Sequence, residues 1–168
     1  MKISPSEFTC TASSSLCKDK TCENVYTESG GEWVTNGTGD GEWIKIEFHT
    51  SIRISKIGYR HNKQRTGKCC SQNFKDISFQ FSDGTIANAT VDDVFEADFH
   101  YRIYPPIVSS YLLVVVRSVY NHYKAAWGLE LAEYEDNYFG IGNIGVFGEA
   151  VTGKGIFFNL LIKHYCQI

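Results

Sequence analysis

The stretch WVTNGTGDGEWIKIEF, from Trp33 to Phe48, contains the pattern that decides the fold. A tryptophan precedes a loop of Asn, Gly, Thr and Asp, and a second tryptophan opens a segment in which Ile44, Ile46 and Phe48 alternate with charged residues. Alternation with a period of two places one face of a β-strand in the core and the other face in water. The stretch therefore predicts a loop followed by a half-buried strand of an antiparallel sheet.

The same alternation recurs further along the chain. Ile77, Phe79 and Phe81 alternate with polar residues and are followed at once by Asp83-Gly84. An Asp-Gly pair between alternating segments is typical of a tight hairpin turn whose glycine needs a positive φ. We therefore predict a hairpin centred on this pair.

Further signals divide the remaining chain into short strands. A turn at 49–51 separates two strands, and Pro105-Pro106 predict the end of another. The apolar run 111–116 predicts a strand buried on both faces, and Trp127–Glu135 predicts the last strand. About eight short strands with turns between them are typical of an antiparallel β-sandwich or jelly roll.

Length, composition and charge exclude several classes of protein. The chain has 168 residues, 14% aromatic residues and a net charge of −3, which is enough for one domain and favours β-structure. Without a concentrated basic run, we predict no nucleic-acid partner. No apolar run of about 20 residues predicts a membrane span. No signal peptide is visible at the N-terminus.

Six cysteines lie at positions 10, 17, 22, 69, 70 and 166. An even, clustered set is typical of a disulfide framework in an exported protein. A zinc site and free thiols of an intracellular protein are the alternatives, although the spacing is irregular for zinc. The glycosylation sequons at Asn36 and Asn88 agree with export. We therefore predict an extracellular or cell-surface protein and, given the missing signal, a fragment.

The composition changes after residue 136. Six glycines fall between Gly140 and Gly155, and apolar residues at near-helical spacing follow. We predict that residues 1–136 form the domain and that 137–168 form a glycine-rich linker with a short amphipathic helix. A GxGxxG match beginning at Gly140 does not indicate dinucleotide binding, because no helix pattern follows it.

No pattern of an enzyme is present, whereas two loops have the composition of a binding site. Histidines stand singly, and no nucleophile or metalloprotease motif occurs. The stretches Tyr59–Arg65 and Tyr120–Lys124 mix aromatic, amide and cationic side chains. Aromatic faces pack on sugar C–H groups, while Arg, His and Asn bond the hydroxyls. The same side chains suit phosphate or carboxylate, and an ordinary solvated loop is the plain alternative.

From these loops we predict five ligand contacts. They are Tyr59, Arg60, His61, Arg65 and Tyr123. No cofactor is predicted to be required, but a structural calcium ion is a candidate, because Ca²⁺ takes carboxylate and amide oxygens. Its candidate ligands are Asn24, Asp40 and Glu130, all beside predicted strand edges.

The order of several short segments resembles one known family. The segments are ASSS at Ala12–Ser15, ENVY at Glu23–Tyr26, GEW at Gly31–Trp33, GEWIKIEF at Gly41–Phe48, KDISFQFSDGT at Lys75–Thr85, SYLLVVVRSVY at Ser110–Tyr120 and a closing GLELAEYE. Together they are similar to a discoidin domain, also called the coagulation factor V/VIII type C domain, of the galactose-binding-like superfamily. The resemblance covers roughly residues 8–135.

The resemblance implies an eight-stranded antiparallel jelly-roll sandwich and a non-catalytic binding module. Relatives bind glycans, anionic phospholipids, collagen or other proteins through loops at one end of the sandwich. In lectin-like relatives that hold calcium, Asn24 and Glu130 match the ligand positions, whereas Thr27 replaces a usual Asp. The family's disulfide between domain ends has only Cys10 here, so we expect a bridge from the N-terminal loop to Cys69 or Cys70.

The functional prediction is an extracellular module that recognises carbohydrate on a cell surface or glycoprotein. Polar, basic loops favour glycan over membrane. The alternatives are an adhesion module that binds an extracellular protein or a lipid head group, and a targeting domain of a larger enzyme.

Overall fold

The computed structural model describes residues 1–15, 18, 21–26, 32–36, 39–61, 73–94, 98–120 and 140–151. Its seven strands are β1 (Phe8–Ala12), β2 (Trp33–Val34), β3 (Trp43–His61), β4 (Phe74–Phe81), β5 (Ile86–Thr90), β6 (Asp98–Val119) and β7 (Gly140–Ala150). Short 3₁₀ turns cover Pro5–Glu7 and Cys22–Tyr26. Within these ranges no helix is long and apolar enough to cross a membrane.

The strands form an antiparallel β-sandwich whose two layers share β3 and β6. Layer A consists of residues 52–61 of β3, residues 98–109 of β6, β7 and β2. This part of β3 pairs with both β6 and β7, and β2 pairs with β7. Layer B consists of β1, β4, β5 and the remaining parts of the two long strands, residues 43–48 and 111–119. The predicted all-β sandwich is therefore confirmed.

Two predicted strand ends are bends inside continuous strands. Positions 49–51 lie within β3, where the register with β6 shifts between Glu47 and Ile52. Residues 103–106 of β6 form a bulge, because four residues here lie opposite the single residue Ser55 of β3. Prolines cannot donate to a ladder, and the bulge leaves Pro105-Pro106 unpaired without ending the strand. The prediction that these prolines end the strand is wrong.

The core lies between the layers and follows the period-two pattern. Its inward side chains include Ile44, Ile46, Phe48, Ile77, Phe79, Phe81, Leu112, Val114, Val116, Ile141, Ile144 and Val146. Leu113 and Val115 face outward and are only half-buried, beside Lys45 and Trp43 of β3. The prediction that 111–116 is buried on both faces is therefore wrong.

The hairpin predicted at Asp83-Gly84 is confirmed. Gly84 has a φ of 86°, a backbone conformation that costs glycine little. The Thr85 N–H donates to an Asp83 carboxylate oxygen at 2.8 Å, which closes the turn between β4 and β5.

The glycine-rich stretch after residue 139 is a sheet strand and not a linker. β7 pairs with β3 along most of its length, and its Ile141, Ile144 and Val146 enter the core. Glycine suits this strand because it lies close to neighbouring backbone, as at Gly148. The prediction of a linker here is wrong, and the sandwich includes residues 140–151. The predicted strand Trp127–Glu135 and the predicted C-terminal helix lie outside the described residues.

A disulfide joins Cys10 of β1 to Cys22 in the second 3₁₀ turn, with the two Cα atoms 6.1 Å apart. The expected partner of the N-terminal region was Cys69 or Cys70, so that expectation is wrong for Cys10. The bridge fixes the short turn to the edge strand β1, next to the Phe8–Tyr26 ring pair. Cys69 and Cys70 lie outside the described residues.

Trp33, at the start of β2, anchors the first long loop, which is the chain between β1 and β2, to the core. Its side chain is fully buried, its ring lies 6.0 Å from that of Phe74, and its indole N–H donates to the Ser14 carbonyl oxygen at 2.7 Å. A buried indole needs such an acceptor, because an unpaired polar group in the core is costly.

Replacing Trp33 by phenylalanine tests this anchor. Trp33→Phe removes the donor and leaves the Ser14 carbonyl without it, so we expect the free energy of unfolding to fall by about 1–3 kcal/mol. Trp43→Phe is the matched control, because Trp43 is only half-buried, and it should cost clearly less. Urea denaturation measures both, and equal losses would contradict the role given to Trp33.

A second substitution tests β7. A Cβ at Gly148 would lie 2.3 Å from the Arg53 carbonyl oxygen and 2.8 Å from Ile52 Cγ2. Both atoms belong to the paired strand β3, so Gly148→Ala should destabilise the protein by about 1–3 kcal/mol. The exposed neighbour gives the control, since Glu149→Ala should change stability by less than about 0.5 kcal/mol. If both variants unfold at the wild-type urea concentration, β7 is not paired as described.

Candidate functional site

One end of the sandwich collects the ends of most strands, and we call it the loop end. β3 ends there beside the start of β6, β4 starts beside the end of β6, and β5 ends beside the start of β4. The chain leaves this end after His61 and after Tyr120. Both stretches that sequence analysis assigned to sugar binding are therefore attached to the same end of the sandwich.

The segment 91–93 is fixed at the loop end by side chains from three strand ends. His61 Nε2 lies 2.8 Å from the carbonyl oxygen at position 92. The Asn73 amide donates to the carboxylate of Asp93 at 3.0 Å, and the Tyr120 hydroxyl donates to the carbonyl at position 91 at 2.9 Å. The Tyr120 N–H also donates to the Asn73 carbonyl at 2.9 Å. The roots of both loops are thus tied to one another through a shared base.

Two of the predicted ligand contacts are core side chains. Tyr59 is 4% exposed and His61 is 1% exposed, and both rings pack against Phe99. Burial raises the pKa of Tyr59 well above its usual value. Both belong to β3 and not to a loop, so the prediction that they contact a ligand directly is corrected. Tyr59 and His61 follow the buried Ile57 by two and four residues, and this period-two spacing is the signal that identifies them as inward-facing.

Arg60 points to the outer face and is engaged in an ion pair. Its Nε and Nη2 donate to the two Asp98 carboxylate oxygens at 2.7 and 2.8 Å. Chiefly through this hydrogen bond, the pair lowers the pKa of Asp98 below its usual range. The bond fixes the start of β6 to the end of β3. The other two predicted contacts, Arg65 and Tyr123, lie outside the described residues.

The Arg60–Asp98 pair predicts a pH dependence. Asp98 has its ordinary pKa of about 3.9 when unfolded and a lower one when folded, so the pair stabilises above that pH and ceases to do so as pH falls through the folded value. Because the pair is largely exposed, Arg60→Gln should cost at most about 1 kcal/mol at pH 7.

Urea denaturation from neutral pH down to about pH 2 measures this dependence. The difference between Arg60→Gln and wild type should shrink toward zero at the acidic end. Arg102→Gln is the control, because Arg102 is a cation that forms no ion pair among the described residues. A difference for Arg60→Gln that stays constant with pH would show that the ion pair is not its source.

Serines of the first loop form a second fixed region at the loop end. Ser13 and Ser14 both donate their hydroxyls to the Glu42 carboxylate, the latter at 2.9 Å. The Trp43 N–H donates to the Ser13 hydroxyl oxygen at 2.9 Å, and the Asn36 N–H donates to the Ser14 hydroxyl oxygen at 3.1 Å. Sequence analysis missed this function of the ASSS segment. Short hydroxyl side chains beside a loop are the signal, since they readily bond to backbone.

The structure describes two of the three calcium candidates. The Asn24 amide nitrogen donates to the Glu32 carbonyl at 3.4 Å, and Asp40 is exposed in a turn next to Gly41. Glu130 lies outside the described residues. Across the described ranges, no group of three or more His, Cys, Asp or Glu side chains is placed to hold a metal.

Solved structures with the same fold place the sandwich among known domains. A family 32 carbohydrate-binding module from C. perfringens NanJ, in complex with galactose, has a TM-score of 0.63 and 12% identity, covering 86% of this chain and 96% of that one. An F5/8 type C domain from Bacteroides fragilis has a TM-score of 0.61 and 11% identity, covering 89% and 97%. A chitosan-binding module from a Paenibacillus chitosanase/glucanase has a TM-score of 0.60 and 14% identity, covering 84% and 96%.

These likenesses show that the chain shares its β-sandwich fold with a family 32 carbohydrate-binding module and with an F5/8 type C domain. The resemblance found in the sequence is thus confirmed for the fold. No protein-family model matches the chain, and no curated protein matches it in sequence.

Proposed function

We propose that this protein is a carbohydrate-binding module whose site lies at the loop end. The observation that carries the proposal is the shared base of segment 91–93, from which the two aromatic and cationic loop stretches leave side by side. A shallow sugar site needs aromatic and fork-shaped polar groups held at fixed spacing. The base fixes the positions of His61 and Tyr120, the last described residues before the two loops, because hydrogen bonds from three strand ends converge on it.

The neighbouring structures support a sugar as the ligand. Two of them are described as a module in complex with galactose and a chitosan-binding module. With Tyr59 and His61 in the core, we assign the direct contacts to Arg65 and Tyr123, while Arg60 fixes the adjoining strand ends. The guanidinium would take hydroxyl groups and the phenol ring would pack on a sugar face.

The proposal includes a non-catalytic function in an extracellular setting. The Cys10–Cys22 bridge supports an oxidising compartment, and Asn36 and Asn88 of the two sequons are exposed. Calcium remains part of the proposal only as a structural ion. Oxygens of Asn24, Asp40 and Glu130 would hold it, and it would order the first loop and the segment near position 130.

A glycan-array screen of the full chain, with calcium and then with chelator, tests the proposal. We expect selective binding of neutral galactosides or chitooligosaccharides. Arg65→Ala combined with Tyr123→Ala should weaken it about tenfold or more, or by about 1.4 kcal/mol. Loss of binding with chelator would support the calcium ion.

The matched control is the double variant Arg102→Ala with Tyr104→Ala, which replaces the same two residue types on layer A. That variant should keep its affinity for the neutral glycan. The proposal is overturned if the folded protein binds no neutral glycan, or if the loop variant and the control bind it equally.

A further inference from the structure

The outer face of layer A carries a row of cations across four neighbouring chain segments. Lys2 forms a β-bridge with Phe147 of β7. In the backbone register, Phe147 lies opposite Lys56 of β3, and Lys56 lies opposite Arg102 of β6. Adjacent strands lie about 4.8 Å apart, so the row extends about 14 Å. We call the three cations, Lys2, Lys56 and Arg102, together with the Phe147 ring between them, the cationic row.

Neighbouring acids offset the charges of the cationic row only in part: Lys2 interacts electrostatically with Asp98, whereas Lys56 and Arg102 have no acidic partner among the described residues. Lys56 and Arg102 are directly opposite one another, a like-charge arrangement that costs stability in a sheet. Among the described residues, neither forms an ion pair. The nearby acid Asp98 is bonded to Arg60. A chain with a net charge of −3 therefore concentrates positive charge on one face.

Other outward polar side chains lie beside the row. Glu149 of β7 is paired with Arg53 of β3 in the register, so an acid there faces a cation of its own. On the opposite side of the row, the exposed His100 adds a donor next to Gly58. Lys56 and Arg102 therefore remain the uncompensated cations of this face.

The position of the central lysine is set by an aromatic ring and two glycines. The Lys56 ammonium lies 3.9 Å from the centroid of the Phe147 ring, within the range of a cation–π interaction. A Cβ at Gly58 would lie 3.1 Å from Phe147 Cε2, and one at Gly145 would lie 3.0 Å from it. The paired glycines thus leave room for the ring to lie flat on the sheet beneath the ammonium.

An exposed aromatic side chain adjoins the cationic row. Tyr104 lies in the 103–106 bulge of β6 and is 95% exposed. It follows Arg102, a member of the row, by two residues. A large, almost fully exposed aromatic ring beside unpaired cations is typical of a binding surface.

We infer that the outer face of layer A is a second binding surface, which takes an acidic polysaccharide. Carboxylate or sulfate groups of the chain lie along the cationic row, with Arg102 able to bind them in fork geometry. A sugar ring packs against Tyr104. A linear polyanion suits this surface better than a small anion, because the charges form a row and not a pocket. The inference does not depend on the loop-end site.

Calorimetric titrations of the full chain with oligogalacturonate, and with its fully methyl-esterified form, test the inference. The two ligands differ only in their carboxylate charge. We expect binding of the acidic form alone, with an affinity that falls as NaCl is raised from about 25 to 200 mM, because salt screens exposed charges. Dextran sulfate against dextran separates sulfate from carboxylate recognition, and binding of either acidic polymer supports the surface.

Arg102→Ala with Tyr104→Ala should lower the affinity for the acidic polymer about tenfold or more, and Lys56→Gln should lower it severalfold. Lys45→Gln is the matched control, because Lys45 also lies over an aromatic ring, that of Tyr111, but in layer B. It should bind the polymer within about twofold of wild type. Unchanged thermal unfolding verifies that each variant is folded.

Three results would overturn the inference. The first is that the protein binds neither acidic polymer. The second is that both variants, Arg102→Ala with Tyr104→Ala and Lys56→Gln, bind the polymer as tightly as wild type. The third is binding to phosphatidylserine vesicles without binding to either polymer, which would make the partner a membrane. Because Arg65→Ala with Tyr123→Ala should keep its affinity for the acidic polymer, a failure here is distinguishable from a failure of the loop-end proposal.

Discussion

The pairing of β3 with β6 is the constraint on which the rest of the structure depends. Both strands run through the two layers, so the register between them fixes the inner and outer faces of layer A and layer B together. A shift by one residue would turn Ile44, Ile46 and Ile57 outward at the same time. The bends at 49–51 and at the 103–106 bulge absorb the change of direction while the pairing on either side is kept.

The same pairing explains why the loop end has a fixed base. It brings the end of β3 beside the start of β6, where Arg60 and Asp98 join them. It also aims Tyr59 and His61 inward, so that His61 reaches segment 91–93 from inside the core. The base of the candidate site is thus built from buried and paired groups, and under the proposal the residues that follow His61 and Tyr120 contact the ligand.

Sequence patterns predict those parts of the fold that depend on local chemistry. Ile77, Phe79 and Phe81 alternate because one face is buried, and Asp83-Gly84 follows because a tight turn needs a positive φ. The discoidin-like order of segments adds the topology. The predictions that were wrong concern features that depend on tertiary context. Gly148 is in a strand because another backbone lies against it. Pro105-Pro106 remain in β6 because a bulge takes them out of the hydrogen-bond ladder.

The candidate site was predicted less well, for a similar reason. Residue type made Tyr59 and His61 resemble sugar contacts, but their position in β3 buries them. The hydrogen bond between segment 91–93 and Asn73 joins parts of the chain that are distant in sequence, and no local spacing predicts it. Likewise, the cationic row exists only once four separate segments are placed in register, so the sequence shows its lysines and arginine as scattered surface charges.

The most direct test of the central claim is a titration of the ¹⁵N-labelled full chain with galactose, followed through the backbone amide resonances. The account predicts that the largest shifts occur at the amides of Arg65 and Tyr123, with smaller shifts at segment 91–93, Asn73 and Tyr120, while Lys56 and Arg102 remain unperturbed. Shifts confined to the outer face of layer A, or no shifts at saturating sugar, would contradict a glycan site at the loop end.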